Sequence, residues 1–242
     1  MSRFVRMVRH VLFCALDPGN VGRTYKYRER FNNAVFISPK RDFLFTKSEK
    51  CANVTMRRSL QNLVAERSLP PDFDDIDRWF APLLQPSDLR LWPIEQINEI
   101  PFKFAVVRNP YTRLLSYYLS APRDHFSKLL GGDESMDFAT FISVVAQQQP
   151  EEMNPHWRVQ YNNLFCDVIT YDHLMRFENL EEELNAFLRR YTNKPEIRSV
   201  HKNQGRAGEK LAAYYTGDLV KRVREKYAID FETFGYPLEL PA

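Results

Sequence analysis

The sequence predicts an α/β domain built around a largely parallel sheet. Two short, apolar, β-favouring runs, Phe43–Thr46 and Phe104–Val107, each lead through a polar turn into a segment with helical periodicity. Strand and helix then keep alternating along the chain, which packs naturally as a sheet covered by helices. With 242 residues, 44% of them hydrophobic and 27% charged, the chain can bury a sizeable core and is unlike a disordered polymer. In such sheets ligands bind beyond the carboxyl ends of the strands, the edge on which both strand-to-helix turns lie.

The elements follow in order. Residues 1–38 are mixed and basic with no clear period. They read as an N-terminal extension, which could be an arm, an added strand or a partner-binding segment, ahead of a domain spanning 39–242. After the first strand, Thr55–Arg67 places Met56, Leu60, Leu63 and Val64 near a 3.6-residue period. Residues 69–101 hold six prolines and read as a long connection with one short helix near Asp75–Leu84. The second strand stops at Arg108-Asn109-Pro110, where Asn109 suits an N-cap and Pro110 the first helical turn. Asp137–Gln147 and Asn179–Tyr191 read as helices, and Asp167–Tyr171 and Leu174–Phe177 as short strands. Thr216 caps a last helix to Tyr227, and Asp230–Tyr236 closes the domain.

Charge and cysteine usage narrow the function classes. A formal net charge of +3 gives no case for nucleic acid. Cys14, Cys51 and Cys166 are odd in number and widely spaced, which argues against a disulfide framework and against zinc. They read as idle thiols in a reducing compartment. Arg3, Arg6 and Arg9 precede the apolar run Val11–Leu16, but that run is short for a signal peptide and no small-residue cleavage site follows it. No apolar run approaches the roughly 20 residues that span a bilayer. The expected location is cytoplasmic.

The chemistry concentrates in the two turns. Lys50-Cys51-Ala52-Asn53-Val54-Thr55 precedes a helix, whose free N–H groups and dipole favour a phosphate or sulfate. Lys50 adds a charge and Thr55 a hydroxyl donor. This is not a Walker motif, because its glycines and its Gly-Lys-Ser/Thr end are missing. In the second turn, Arg108 leaves the strand and Ser116 lies about two helical turns on. A guanidinium matches phosphate bidentately and a serine can serve another oxygen. Arg113 could instead face solvent or an acidic neighbour. The bland alternatives are a structural strand–turn–helix with one lysine, and an ordinary helix start with surface arginines.

Val106-Val107-Arg108-Asn109-Pro110-Tyr111-Thr112-Arg113-Leu114-Leu115-Ser116 closely resembles the 3′-phosphate motif of sulfotransferases that use 3′-phosphoadenosine-5′-phosphosulfate (PAPS). It is most similar to that of carbohydrate sulfotransferases related to chondroitin 4-sulfotransferase, with Asn109 in place of the usual Asp. Phe43–Met56 aligns without gaps on the family's 5′-phosphosulfate loop. Lys50 falls on the family lysine, Glu49 replaces a proline, Val54 replaces a threonine, and Thr55 takes a serine position. Lys47 competes for the lysine's role if the loop is kinked. Asn154-Pro155-His156-Trp157-Arg158-Val159-Gln160 resembles the family's Pro-His-Trp-Arg-Pro-Gln stretch. The closing run, with His201-Lys202-Asn203, Tyr214-Tyr215-Thr216 and Asp230-Phe231 to Tyr236, resembles the family's end.

The resemblance implies a three-layer, P-loop NTPase-like sulfotransferase fold and transfer of a sulfuryl group from PAPS to an acceptor hydroxyl or amine, leaving adenosine 3′,5′-bisphosphate. It implies that Lys50 stabilises charge on the leaving phosphate while Asn53, Val54 and Thr55 offer N–H groups to the 5′-phosphate. Arg108 and Ser116 would hold the 3′-phosphate. Lys202 and Asn203, with Arg206 a weaker candidate, would close over the nucleotide. A general base suits histidine. His156 leads, with a structural pairing to Trp157 as its alternative, and His125 is second. Glu178 reads as a helix start. Arg158 could bind an acidic acceptor or pair with an acid. Trp157 could stack on a sugar or sit in the core. No metal is expected, and the partner is a glycan or small-molecule acceptor. A nucleotide-dependent phosphotransferase and a non-catalytic anion-binding protein on the same fold are the rival readings.

Overall fold

The computed structural model describes residues 3–15, 24–67, 83–89, 94–122, 126, 136–193 and 208–241. In chain order the elements are α1 (Arg3–Ala15), α2 (Tyr25–Ala34), β1 (Val35–Ile37), β2 (Leu44–Thr46), α3 (Asn53–Ala65), α4 (Pro86–Leu89) and a 3₁₀ turn at Ile94–Glu99. Then come β3 (Lys103–Val107), α5 (Pro110–Ser120), α6 (Phe138–Gln147), α7 (Gln160–Asn163), β4 (His173–Arg176), α8 (Leu180–Tyr191), α9 (Leu211–Tyr214), α10 (Gly217–Lys226) and α11 (Ala228–Phe234). The chain forms two compact units, one of residues 1–47, 52–106 and 164–202, the other of 48–51, 107–163 and 203–242. Among the described residues no helix is long and apolar enough to cross a membrane.

The first unit carries a four-stranded sheet in the order β1-β2-β3-β4. β2 and β3 run parallel, Leu44 opposite Lys103, as strand–helix alternation predicts. β1 is antiparallel to β2, so the sheet is mixed, not mostly parallel. The cause is local: α2 runs straight into β1, the Val35 N–H bonds back to Phe31 O, and a short return at Pro39–Asp42 brings β2 alongside. Of the options open for the N-terminal stretch, residues 35–37 form an added strand, preceded by α1, which is strongly amphipathic, and by α2.

Successive residues of β2 point to opposite sides. Leu44 joins Phe13, Phe31, Val35, Ile97 and Ile169 in one apolar cluster. On the other side Phe43 and Phe104 meet Phe187 of α8, whose ring centroid lies 4.5 Å from that of Phe104. Asp167–Tyr171 is a turn rather than a strand. Val168 and Ile169 both bond back to Phe165 O at 2.8 Å, and Phe165 takes φ 54°. The apolar side chains of that run serve the cluster from a loop, which a short apolar run cannot distinguish from a strand. The short helix expected near Asp75–Leu84 falls largely outside the described residues. Leu84 itself bridges Ile37.

The second unit is helical and aromatic. Asn109 caps α5, its Oδ1 accepting the Tyr111 N–H at 3.0 Å, with Pro110 at the first helical position. Asp137 caps α6 by accepting the Thr140 N–H at 2.7 Å. Thr216 occupies the N-cap position of α10 but makes no side-chain capping bond. Tyr117, Tyr118, Phe138, Phe141, Trp157 and Tyr215 interlock edge-to-face and tilted between these helices.

Candidate functional site

The turn Ser48–Cys51 is held by cations acting on carbonyls. Lys50 takes φ 66° and Ala52 φ 56°. Each left-handed non-glycine residue costs on the order of 1 kcal/mol, so the surroundings must impose the shape. Arg108 Nη1 donates to Lys50 O at 3.1 Å, and Arg113 Nε donates to Glu49 O at 2.9 Å. The Cys51 thiol donates to Gln160 Oε1 at 3.2 Å.

The Arg108 guanidinium and the Lys50 backbone, 58 positions apart, thus meet in this turn. The Lys50 ammonium donates to Ser120 Oγ at 2.7 Å, a hydroxyl and not a carboxylate. Its pKa is pushed below the ordinary lysine value, first by loss of water and then by the charge of Arg108. Arg108 is 4% exposed and donates through Nε to Thr112 Oγ1 at 3.0 Å. The turn thus gathers two cations, with the Glu49 carboxylate partly offsetting them at Lys50, and a net positive potential of this kind favours an anion. Ser116 stands half-buried on α5, one turn before Ser120. Lys47 belongs to the first unit and gives its backbone N–H to Ala34 O at 2.9 Å.

Arg113 neither faces solvent nor meets an acid. It is 0% exposed and donates to Glu49 O, Arg158 O at 2.8 Å and Pro155 O at 3.0 Å. It staples the Lys50 turn to the Pro-His-Trp-Arg segment. Arg158 is also turned inward, donating to Pro150 O at 2.9 Å and to Met153 O. Trp157 is buried with its indole N–H on Gln148 Oε1 at 2.8 Å, which makes it core. His156 remains half-buried against Tyr117, ring centroids 5.3 Å apart. Its Nδ1 lies 2.8 Å from Asn154 Oδ1, which also accepts the His156 N–H at 3.0 Å. An oxygen acceptor at Nδ1 favours the tautomer with the proton there and the lone pair on Nε2.

In the first unit, Asn53, Val54 and Thr55 form the first turn of α3. Thr55 is buried and Val54 is 41% exposed. Glu178 lies in the 3₁₀ turn Phe177–Asn179 ahead of α8, in keeping with a helix start. His125, Lys202, Asn203 and Arg206 lie outside the described residues. All three cysteines are free thiols.

The sulfotransferase family profile matches residues 33–237. The chain belongs to the sulfotransferase family. It is similar to proteins named carbohydrate sulfotransferase 14. The Danio rerio protein is 29% identical over 167 residues, covering 57% of this chain and 44% of that protein. The Mus musculus and Homo sapiens proteins are each 27% identical over 180 residues, covering 63% of this chain and 46% of theirs. The chain thus spans less than half the length of these curated relatives. No solved structure matches it.

Within this sulfotransferase-family chain, four residues take structural roles that the motif reading does not assign. Ser120 repeats the position of Ser116 one turn later, a spacing that could have flagged it. Arg113 stands in the Arg108 motif itself, but the reading offered for it is solvent or an acidic neighbour rather than backbone carbonyls. Gln160 ends the Pro-His-Trp-Arg stretch, yet nothing in its residue type says that it grips Arg108. Asp230 is wholly buried, and burial raises its pKa to about 6 against opposing N–H bonds from Gln160 and Tyr161 and the charge of Arg113. It opens the Asp230–Tyr236 segment that resembles the family's end, yet nothing in that resemblance says that it meets Gln160.

Proposed function

We propose that this chain transfers a sulfuryl group from PAPS to a carbohydrate hydroxyl, on a P-loop NTPase-like sulfotransferase fold. The observation that carries the proposal is the pairing of Lys50 with Arg108 across two strand-to-helix turns. The relatives named for carbohydrate sulfotransfer supply the acceptor class.

In this reading PAPS brings the sulfuryl group and its own leaving phosphate. Lys50 and the N–H groups of Asn53, Val54 and Thr55 receive the negative charge that builds on that phosphate. Arg108 and Ser116 take the 3′-phosphate, with Lys202 and Asn203 completing the nucleotide site. His156, with its lone pair on Nε2, removes the acceptor's proton as the sulfur–oxygen bond forms in line. Val54 supplies its backbone N–H alone, so this turn offers one hydroxyl fewer than the family pattern.

Calorimetric titration with adenosine 3′,5′-bisphosphate and with AMP tests the donor site, on wild type and on Arg108→Ala. The expected outcome is a preference for the bisphosphate of at least tenfold, lost in the variant, since a charge-assisted phosphate contact is worth about 1.5–3 kcal/mol. Equal binding of the two nucleotides would overturn the PAPS assignment. Mg²⁺-dependent use of ATP would then favour a phosphotransferase. Selective binding without turnover on any glycan would favour a non-catalytic anion-binding protein.

A further inference from the structure

Arg108 follows the last residue of β3, where a strand's backbone groups run out of ladder partners. Its N–H and C=O are nevertheless both satisfied, and by one side chain. The Arg108 N–H donates to Gln160 Oε1 at 2.9 Å, and Gln160 Nε2 donates to Arg108 O at 2.8 Å. The carboxamide thus does for Arg108 what a neighbouring strand would do. Because the backbone N–H can only donate and the C=O can only accept, the orientation of the amide is fixed.

The same carboxamide reaches the other turn, since Oε1 also accepts the Cys51 thiol at 3.2 Å. Its far side is set by Asp230. Asp230 Oδ2 accepts the Gln160 N–H at 2.8 Å and lies 3.4 Å from Nε2, while Oδ1 accepts the Tyr161 N–H at 2.8 Å. Gln160 and Asp230 are both 0% exposed. The bonds made by Gln160 itself are buried, and a buried group that loses its partner bears the full desolvation cost.

We infer that Gln160 is a positioning residue that sets the Arg108 turn and the Lys50 turn in one register, with Asp230 orienting its carboxamide. The inference rests on the donor reading above. The Arg108 guanidinium hangs from a backbone that Gln160 holds at both polar atoms, and it reaches Lys50 O and Thr112 Oγ1 from there. Phosphate recognition by a planar fork tolerates little displacement, so loosening that backbone weakens recognition of the 3′-phosphate before it weakens the rest of the nucleotide. A purely structural Gln160 would lower stability and leave the preference alone.

The test is Gln160→Met, which keeps the length and removes both polar atoms. The affinities for adenosine 3′,5′-bisphosphate and AMP are measured beside circular dichroism and the melting temperature. The expected result is a folded variant whose bisphosphate-over-AMP preference falls at least tenfold while AMP binding stays within twofold of wild type. Asp230→Asn, read the same way, should give a smaller fall. A folded Gln160→Met variant that keeps the wild-type preference overturns the inference and leaves the donor reading intact. Failure of both variants to fold assigns the pair to stability alone and overturns it too. Absence of a bisphosphate preference in wild type removes the donor reading, and this inference with it.

Discussion

Lys50 is held by opposing influences whose balance disfavours its charge. Loss of water and the nearby charge of Arg108 both lower its pKa, the Glu49 carboxylate opposes them in part, and Ser120 offers an oxygen without a charge. A lysine with a lowered pKa loses its proton at a lower pH than usual, and the positive charge goes with it. Binding of a phosphosulfate group would stabilise the ammonium and raise the pKa again. The pH dependence of kcat/KM reports the free enzyme and that of kcat the complex. The alkaline limb of kcat/KM for PAPS should therefore begin below the usual lysine range, and the limb of kcat should lie higher. Coincident limbs would show that Lys50 does not meet the donor. Lys50→Ala should remove the lower limb altogether and cut kcat by 10²-fold or more, on the order of one lost oxyanion-type contact.

Elements are joined at this site through carbonyl oxygens, and Arg113 shows why a side chain's residue type can mislead. An arginine in the first turns of a helix-start motif looks like a surface cation, yet three carbonyls from two loops converge on its guanidinium. Arg113→Lys keeps the charge but not the planar fork. At least two of the three carbonyls would lose their donor, and a loss of about 1–3 kcal/mol for each unsatisfied buried group follows. Differential scanning calorimetry should show a clear fall in Tm, with weakened nucleotide binding beside it. An unchanged Tm would mean that the two loops hold their shape without the staple. The parts that were legible in the sequence have local causes. Apolar runs gave β2 and β3, and Asn109-Pro110 gave the start of α5. The illegible parts are set by distant partners. β1 is a strand because β2 lies beside it, Asp167–Tyr171 is a turn because Phe165 O collects two N–H groups, and Gln160 and Asp230 acquire roles only through residues 52 and 70 positions away.

At the scale of the whole molecule, the buried Asp230 makes stability depend on pH in a direction opposite to that of most carboxylates. Asp137 and Asp172 are held below the ordinary value, by the Thr140 N–H and by Lys103 respectively. They support the fold above that value and lose their contribution on acidification. Asp230 is held above it, at about 6 against an ordinary 3.8, by burial. The folded state therefore binds more protons than the unfolded state between those two values, and stability falls as pH rises through that window. The groups facing Asp230 are the N–H donors of Gln160 and Tyr161, the Arg113 guanidinium from α5 and Tyr227 from its own end of the chain. The donors and Arg113 moderate the rise in pKa without cancelling it. The gap between an ordinary carboxyl and one near 6 corresponds to ~3 kcal/mol. Asp230→Asn does not titrate, so the stability of wild type relative to this variant should fall by most of that amount between pH 4 and pH 7. The other carboxylates cancel in that comparison, because both proteins carry them. Urea denaturation of the two proteins at half-unit pH intervals reads the difference directly. A difference that stays flat across the window would mean that Asp230 keeps an ordinary pKa, and that its hydrogen bonds and Arg113 fully offset its burial.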